Sequence, residues 1–270
     1  MGASTSYEQT KVNPFGEATF SSTSFAEGRS RRSYKGTYDA PSSKKGQACV
    51  VKEYKKRYRW AHGDWDEDMS LQKKAKDLAE EFNSETGTTR PIYYVDCDAW
   101  KVFKSDSGTP RLGEWCLVED FLPGDWTKWN SNAGYVNPQV STVSLHAFSH
   151  WTWAHTKGDI MVCDLQGVRR DDRYILTDPV ICSSRQIYGE TDMGCIGMAH
   201  FFDTHRCTSF CSSFPRPSNF NDLLRSQLGV RNHSHTSYSS EDDLQLPSYQ
   251  KIKIKQRLQV AFETIIEEED

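Results

Sequence analysis

What this 270-residue chain lacks narrows its identity first. No apolar run approaches the ~18 residues of a membrane-spanning helix. The start, "MGASTSYEQT", is polar and carries no secretory leader, so export is not expected. There is no excess of positive charge: 33 Lys and Arg stand against 37 Asp and Glu, a net charge of −4. That argues against a dedicated nucleic-acid binder, although local basic patches remain possible. No internal repeat is visible. Nor is there a disulfide framework. Of the eight cysteines, most sit singly in apolar, strand-like runs such as "ACVV", "WCLV" and "MVCD". With no leader they read as reduced, buried thiols of a cytoplasmic protein.

What is present fits a globular, soluble fold. Hydrophobic residues make up 36% and charged residues 26%, and the length allows one large domain or two lobes. Residues 1–24 are Ser/Thr-rich and read as a lead-in. "MGASTS" also fits the myristoylation pattern at Gly2, without a polybasic second anchor; membrane attachment is expected only if Gly2 is lipidated. "QACVVKEY" alternates and predicts a strand. In "DEDMSLQKKAKDLAEEFN", Leu71, Ala75, Leu78, Ala79 and Phe82 share one helical face, with acids at the start. "PIYYVDC", "AWKVF" and "WCLVEDF" predict further strands. "FLPGDWTKWNSNAG" is loop chemistry. "VSTVSLHAFSHWTWAH" predicts a helix, and "DIMVCD" and "RYILTD" predict short strands around a turn-like "LQGVRRDD". Another helix is expected at "PSNFNDLLRSQLG". Residues 230–270 read as a largely disordered tail with one amphipathic stretch in "KQRLQVAFETIIEE".

Several residue groups can carry chemistry. Lys52 comes late in an apolar strand on the same side as Val50, so it either snorkels out or meets an anion in a cleft. Asp164 ends "IMVCD", Gln166 follows, and Asp178 ends "YILTD". Two carboxylates and an amide at strand ends suit a hard cation such as Mg²⁺, or simply terminate strands. "YGETDMGCIG" places Gly189, Gly194 and Gly197 in a loop before a helix, where backbone N–H groups can face a phosphate or peptide. "FAEGRSRR" suits phosphate, or a solvated turn. In "HRCTSFC", His205, Cys207 and Cys211 have zinc-ligand spacing, against the alternative of packed cysteines and a surface histidine. His146, His150, His155 and His200 are all candidates for a fourth ligand.

"FSHWTW", "DIMVCDLQGV", "LTDP" and "YGETDMGCIGMAHFFDTHRCTSFC" strongly resemble the alpha-kinases, a family of atypical protein kinases. "FAEGRSRRSY", "ACVVKEY" and "CLVEDFLPGDWTKWNSNAG" are similar to the family's N-terminal lobe and hinge. These stretches run in family order from about residue 13 to 215.

The resemblance implies an α+β, two-lobed protein-kinase-like fold with a zinc-stabilised C-terminal lobe. It divides the chain into a flexible lead-in (1–12), an N-terminal lobe (13–118), a hinge and C-terminal lobe (119–229) and the tail. It implies a serine/threonine protein kinase that transfers the γ-phosphate of ATP to a protein hydroxyl. Lys52 and Arg31 would contact phosphates. Glu119 would lie at the hinge near adenine, with Lys128 and Asn130 lining the nucleotide site. Asp164 would be the catalytic aspartate, with Gln166 and Asp178 holding Mg²⁺. Gly189, Asp192, Gly194 and Gly197 would shape the peptide side of the cleft. His150 would complete a structural Zn²⁺ site with His205, Cys207 and Cys211. Two departures stand out: extra residues "RRDDRYI" between "DLQGV" and "LTDP", and Asp192 where some members carry Asn. A catalytically silent ATP-binding module is the alternative. A zinc-dependent nucleic-acid module is disfavoured by the acidic charge.

Overall fold

The computed structural model describes residues 7–11, 16–28, 30–55, 65–104, 110–139 and 143–218. Gly2, the 230–270 tail and, apart from Pro217 and Ser218, the helix expected at "PSNFNDLLRSQLG" lie outside the described residues. In chain order the elements begin with β1 (Tyr7–Lys11), β2 (Glu17–Glu27), β3 (Arg31–Ala40), β4 (Ala48–Tyr54) and α1 (Asp66–Thr86). Next come β5 (Ile92–Tyr94), β6 (Cys97–Lys101), β7 (Trp115–Asp120), β8 (Trp126–Lys128) and α2 (Val143–His155). The last are β9 (Ile160–Cys163), β10 (Gln166–Arg169), β11 (Tyr174–Thr177), β12 (Val180–Ser183) and α3 (Gly194–Thr204). The architecture is mixed α+β, and no helix among the described residues is long and apolar enough to cross a membrane.

The chain divides into two compact units: residues 1–128 with 165–179, and residues 129–164 with 180–270. The first is built on a six-stranded sheet of order β1-β2-β3-β4-β7-β6. Side chains alternate across its faces, because successive strand residues point opposite ways. Ala18, Phe20, Tyr34, Tyr38, Cys49, Val51, Trp100, Val102, Cys116 and Val118 form one buried cluster. On the opposite face, Tyr54, Trp65 and Leu117 pack together with Met69. Each fully buried Val or Phe of the first cluster, such as Phe20 and Val51, contributes on the order of 2 kcal/mol. The predicted apolar stripe of α1 is buried at Leu71, Ala75, Leu78, Ala79 and Phe82. Gly87, at φ 58°, supplies the left-handed conformation that ends the helix.

A second sheet in this unit has the order β5-β11-β10-β8. β5 runs parallel to β11, and α1 packs on β5. Here the structure corrects two readings. "LQGVRRDD" is not only a turn: Gln166–Arg169 form β10, paired with both β11 and β8. Gly167 allows it, since a Cβ there would stand 2.2 Å from the Ile175 carbonyl oxygen. The Ser/Thr-rich stretch read as a lead-in contributes β1 and most of the eleven-residue β2.

The second unit pairs β9 with β12, antiparallel. α2 packs on β9 and α3 on β12. Met161, Cys163, Cys182, Cys195, Met198, Ala199, Phe201 and Phe202 form its core. Gly194 and Gly197, expected in a loop, lie in the first turn of α3. A Cβ at Gly197 would meet Cys182 Sγ at 2.4 Å, so this glycine lets helix and strand approach.

Candidate active site and metal centre

The first unit gathers charge around one lysine. β4 carries Lys52 on the face of Leu117 and Glu119, and its side chain is 5% exposed. A buried ammonium needs counter-charges. Lys52 Nζ finds Glu119 Oε1 at 2.7 Å and Asp178 Oδ2 at 2.7 Å, and it donates to Thr177 Oγ1 at 3.1 Å. Thr177 Oγ1 in turn lies 2.8 Å from Glu119 Oε2. Asp178 follows β11 at φ 47°, a left-handed conformation uncommon outside glycine. Its second oxygen accepts from Arg31 Nη1 at 3.0 Å. The other end of the Arg31 guanidinium is held by Asp68 of α1 and by Tyr54 Oη, at 3.2 Å from Nη2. Tyr54 donates to Asp68 Oδ2 at 2.8 Å.

These contacts set the protonation states. Burial alone would lower the Lys52 pKa, but Asp178 and Glu119 outweigh it and the value rises. Burial would raise Asp178, yet Lys52 and Arg31 hold its carboxyl below the ordinary 3.8. Glu119 is raised, because burial exceeds the help it receives from Lys52. Asp178 is the most open of the three carboxylates, with its side chain 33% exposed against 12% for Asp68 and 7% for Glu119. Gln166 Nε2 donates to the Asp178 carbonyl at 3.2 Å, which leaves the amide oxygen as the group it could offer a cation. Asp178 and Gln166 therefore suit Mg²⁺, a hard cation that takes one or two carboxylates beside phosphate oxygens.

Of the residues read from the sequence, Arg31, Lys52, Glu119, Gln166 and Asp178 are brought together in this unit. Lys128 lies on β8 opposite Gln166. Glu119, expected near adenine, turns its carboxylate to Lys52 and Thr177. Asp68, Tyr54 and Thr177 were missed; the acids opening α1 were legible only as helix-start chemistry.

In the second unit, Asp164 directly follows β9 at φ 59°. Asn130 is 1% exposed, and its amide donates to Ser149 Oγ at 3.2 Å. Asp192 is also buried. Its Oδ1 accepts from the backbone N–H of Ser183 at 2.8 Å and of Gly194 at 2.9 Å. Its Oδ2 accepts from Ser183 Oγ at 2.6 Å and the Tyr188 N–H at 3.2 Å. Gly189, at φ 81°, lies within the segment this carboxylate ties down.

His150, on α2, meets His205, Cys207 and Cys211 from the segment after α3. One ligand atom from each lies within 4.8 Å of the others. Cys207 Sγ is 3.7 Å from His150 Nδ1, and Cys211 Sγ is 3.5 Å from His205 Nε2. Bonds of about 2.0–2.3 Å to a tetrahedral zinc put ligands roughly 3.3–3.8 Å apart, a spacing these two pairs match. His150 Nε2 lies 2.8 Å from the Pro215 carbonyl. A proton on Nε2 would donate to that oxygen and leave Nδ1 free to ligate, the usual arrangement behind a metal-binding histidine. Burial pushes His205 down to about 3, so its ring is neutral and able to ligate. All eight cysteines are free thiols.

The alpha-kinase family model matches residues 26–211. The alpha-protein kinase vwkA of Dictyostelium discoideum is 32% identical over 146 residues, 54% of this chain and 23% of that protein. The eukaryotic elongation factor 2 kinase of Rattus norvegicus is 33% identical over 150 residues, 54% of this chain and 19% of that protein. The matched stretch thus spans less than a quarter of either relative. The alpha-kinase domain of myosin-II heavy chain kinase A, solved with AMP-PNP, aligns with a TM-score of 0.64 at 22% identity. That alignment covers 83% of this chain and 97% of that one, a likeness of fold.

Proposed function

The chain belongs to the alpha-kinase family, and from that premise we propose that it is an ATP-dependent serine/threonine protein kinase acting in the cytoplasm on a protein substrate. The observation that carries the reading is the Lys52–Asp178–Arg31 constellation: two cations converge on the most open carboxylate of the network. Phosphoryl transfer is largely positioning and neutralisation of charge, and these groups are of the types it requires. The AMP-PNP complex of the solved myosin-II heavy chain kinase A domain supports ATP as the donor.

In this reading Lys52 and Arg31 turn from Asp178 to the phosphate oxygens, and Asp178 with Gln166 holds the metal. When bound, Mg²⁺ neutralises the charge on the phosphates. Glu119 keeps Lys52 extended, with Lys128 and Asn130 belonging to the segment that borders the nucleotide. Asp164 orients or deprotonates the Ser or Thr hydroxyl. The buried Asp192 carboxylate fixes the segment around Gly189 that shapes the peptide side. His150, His205, Cys207 and Cys211 hold a structural Zn²⁺, with all four positions filled by protein.

Labelled ATP, Mg²⁺ and a panel of Ser- and Thr-containing peptides test the activity. Asp164→Ala is expected to lower turnover at least ~100-fold, the scale of a general-base or orienting contribution. Nucleotide binding should survive better. Near-normal turnover in this variant, or no phosphate transfer by the wild type, would remove the proposal.

A further inference from the structure

α1 enters the charge network through one residue. Asp68, in its first turn, binds Arg31 Nη2 and also accepts the Tyr54 hydroxyl at 2.8 Å. Arg31 is wedged on this side. Its guanidinium carbon stands 5.0 Å from the Tyr54 ring centre and 6.0 Å from that of Trp65. Tyr54 and Trp65 stack at 4.5 Å, and Trp65 is the residue from which α1 starts, its carbonyl accepting from the Met69 N–H at 2.9 Å. The helix start, the aromatic pair and Arg31 are therefore one packed unit.

The opposite end of the same guanidinium occupies an oxygen of Asp178, at 3.0 Å. Arg31 is thus shared between two carboxylates, one fixed on a helix and largely buried, the other open to solvent. Together with Lys52 and Glu119 the cluster holds two cations and three carboxylates, one net negative charge when all are ionised. Remove the Asp68 charge and the count becomes neutral. Asp178 would then be the only carboxylate paired with Arg31.

The geometry points to Asp68 as a positioning residue: it draws the Arg31 charge toward α1, so that Asp178 remains able to accept a divalent cation. This rests on the reading of Asp178 as a metal ligand. A helix displaced at its first turn would release Arg31 onto Asp178, so the placement of α1 sets how readily the site takes its metal.

The test is read two ways on the full chain: kinase turnover as a function of Mg²⁺ concentration at fixed ATP, and the Mg²⁺ midpoint for binding of AMP-PNP without substrate, which needs no turnover. Asp68→Asn keeps the size and removes the charge. It should raise the Mg²⁺ concentration for half-maximal activity about tenfold, the scale expected when one charge-assisted hydrogen bond is taken out of a shared network. Turnover at saturating Mg²⁺ should stay within about threefold, and Asp68→Glu should restore most of the Mg²⁺ response. In an Arg31→Gln background, Asp68→Asn should change the Mg²⁺ midpoint less than about twofold, since the effect travels through Arg31. A purely structural role would lower the melting temperature and turnover without moving the Mg²⁺ midpoint. An unchanged midpoint in Asp68→Asn, or an equal shift in the Arg31→Gln background, overturns the inference. Asp178→Ala separates this from the underlying reading. If that variant keeps the wild-type Mg²⁺ response, Asp178 is not a metal ligand; if it loses the response while Asp68→Asn is indistinguishable from wild type, only the role of Asp68 fails.

Discussion

Lys52 Nζ lies 2.7 Å from an oxygen of Asp178, 126 residues further along the chain, and Arg31 takes the other oxygen of the same carboxylate. The pair joins the middle strands of the large sheet to the end of the β10–β11 hairpin. It holds Asp178 ionised, below its ordinary value, against the burial that would raise it.

That shift has a definite sign. A carboxyl depressed in the folded state contributes stability that is complete above its unfolded value of 3.8 and is lost as pH falls through the lower folded value. Asp178→Asn should therefore cost roughly 2 kcal/mol at neutral pH. This is less than the roughly 3–5 kcal/mol of a fully buried pair, because the carboxylate is one-third exposed. The difference from wild type should shrink once pH drops below 3.8. Denaturant melts of both proteins across that range check it. A difference that is constant, or that grows with acid, contradicts the ion-pair account.

Asp192 offers a second, independent measure. Its two oxygens accept four hydrogen bonds, two from Ser183 and one each from Tyr188 and Gly194. Asp192→Ala would leave those donors without partners in a buried place, and each orphaned donor costs about 1–3 kcal/mol unless water reaches it. With four donors affected, a total loss of roughly 4 kcal/mol or more is expected, with faster amide exchange over residues 184–194. Asp192→Asn retains one good acceptor oxygen and should cost less. Unchanged exchange in the alanine variant would show that the segment is held by other contacts.

How much of this was legible in the sequence depends on the range of the interactions. The strands β4, β7, β9 and β11 and the helix α1 follow local alternation or a 3.6-residue stripe, and both can be read from neighbours. β2 escaped because its sequence is rich in Ser and Thr, with burial concentrated at Ala18 and Phe20. β10 escaped because Gly167 and the charged residues after it resemble a turn; only the close carbonyl of Ile175 explains the glycine. Gly194 and Gly197 read as loop residues for the same reason, although at Gly197 the requirement is helix–strand contact. Lys52 and Asp178 stand out by their places in apolar strands, and family resemblance adds their roles and singles out Arg31; the structure brings the three into contact. Asp68 carried no such signal, since its partner Arg31 is 37 residues away. At the metal centre, spacing alone gave His205, Cys207 and Cys211. Four histidines were equal candidates for the last place, and only resemblance selected among them.

The geometry now makes that selection testable. His150 is fully buried on α2, and its Nδ1 lies 3.7 Å from Cys207 Sγ while Nε2 faces the Pro215 carbonyl at 2.8 Å. A metal here would tie α2 to the segment after α3, with His150 and Cys207 lying 57 residues apart along the chain. Metal binding of this kind is part of the folding free energy, because the ligands are not gathered in the unfolded chain. His150→Ala should therefore lower both bound zinc and the midpoint of thermal unfolding of the second unit. His155→Ala should change neither, because that residue is exposed at the end of α2 and stacks on Trp151, outside the cluster. Chelator treatment of the wild type should reproduce the loss of the His150→Ala variant, and adding a chelator to that variant should do little more. Elemental analysis of the purified proteins decides the matter: wild type without about one zinc per chain, or a His150→Ala protein that retains it in full, would remove His150 from the ligand set.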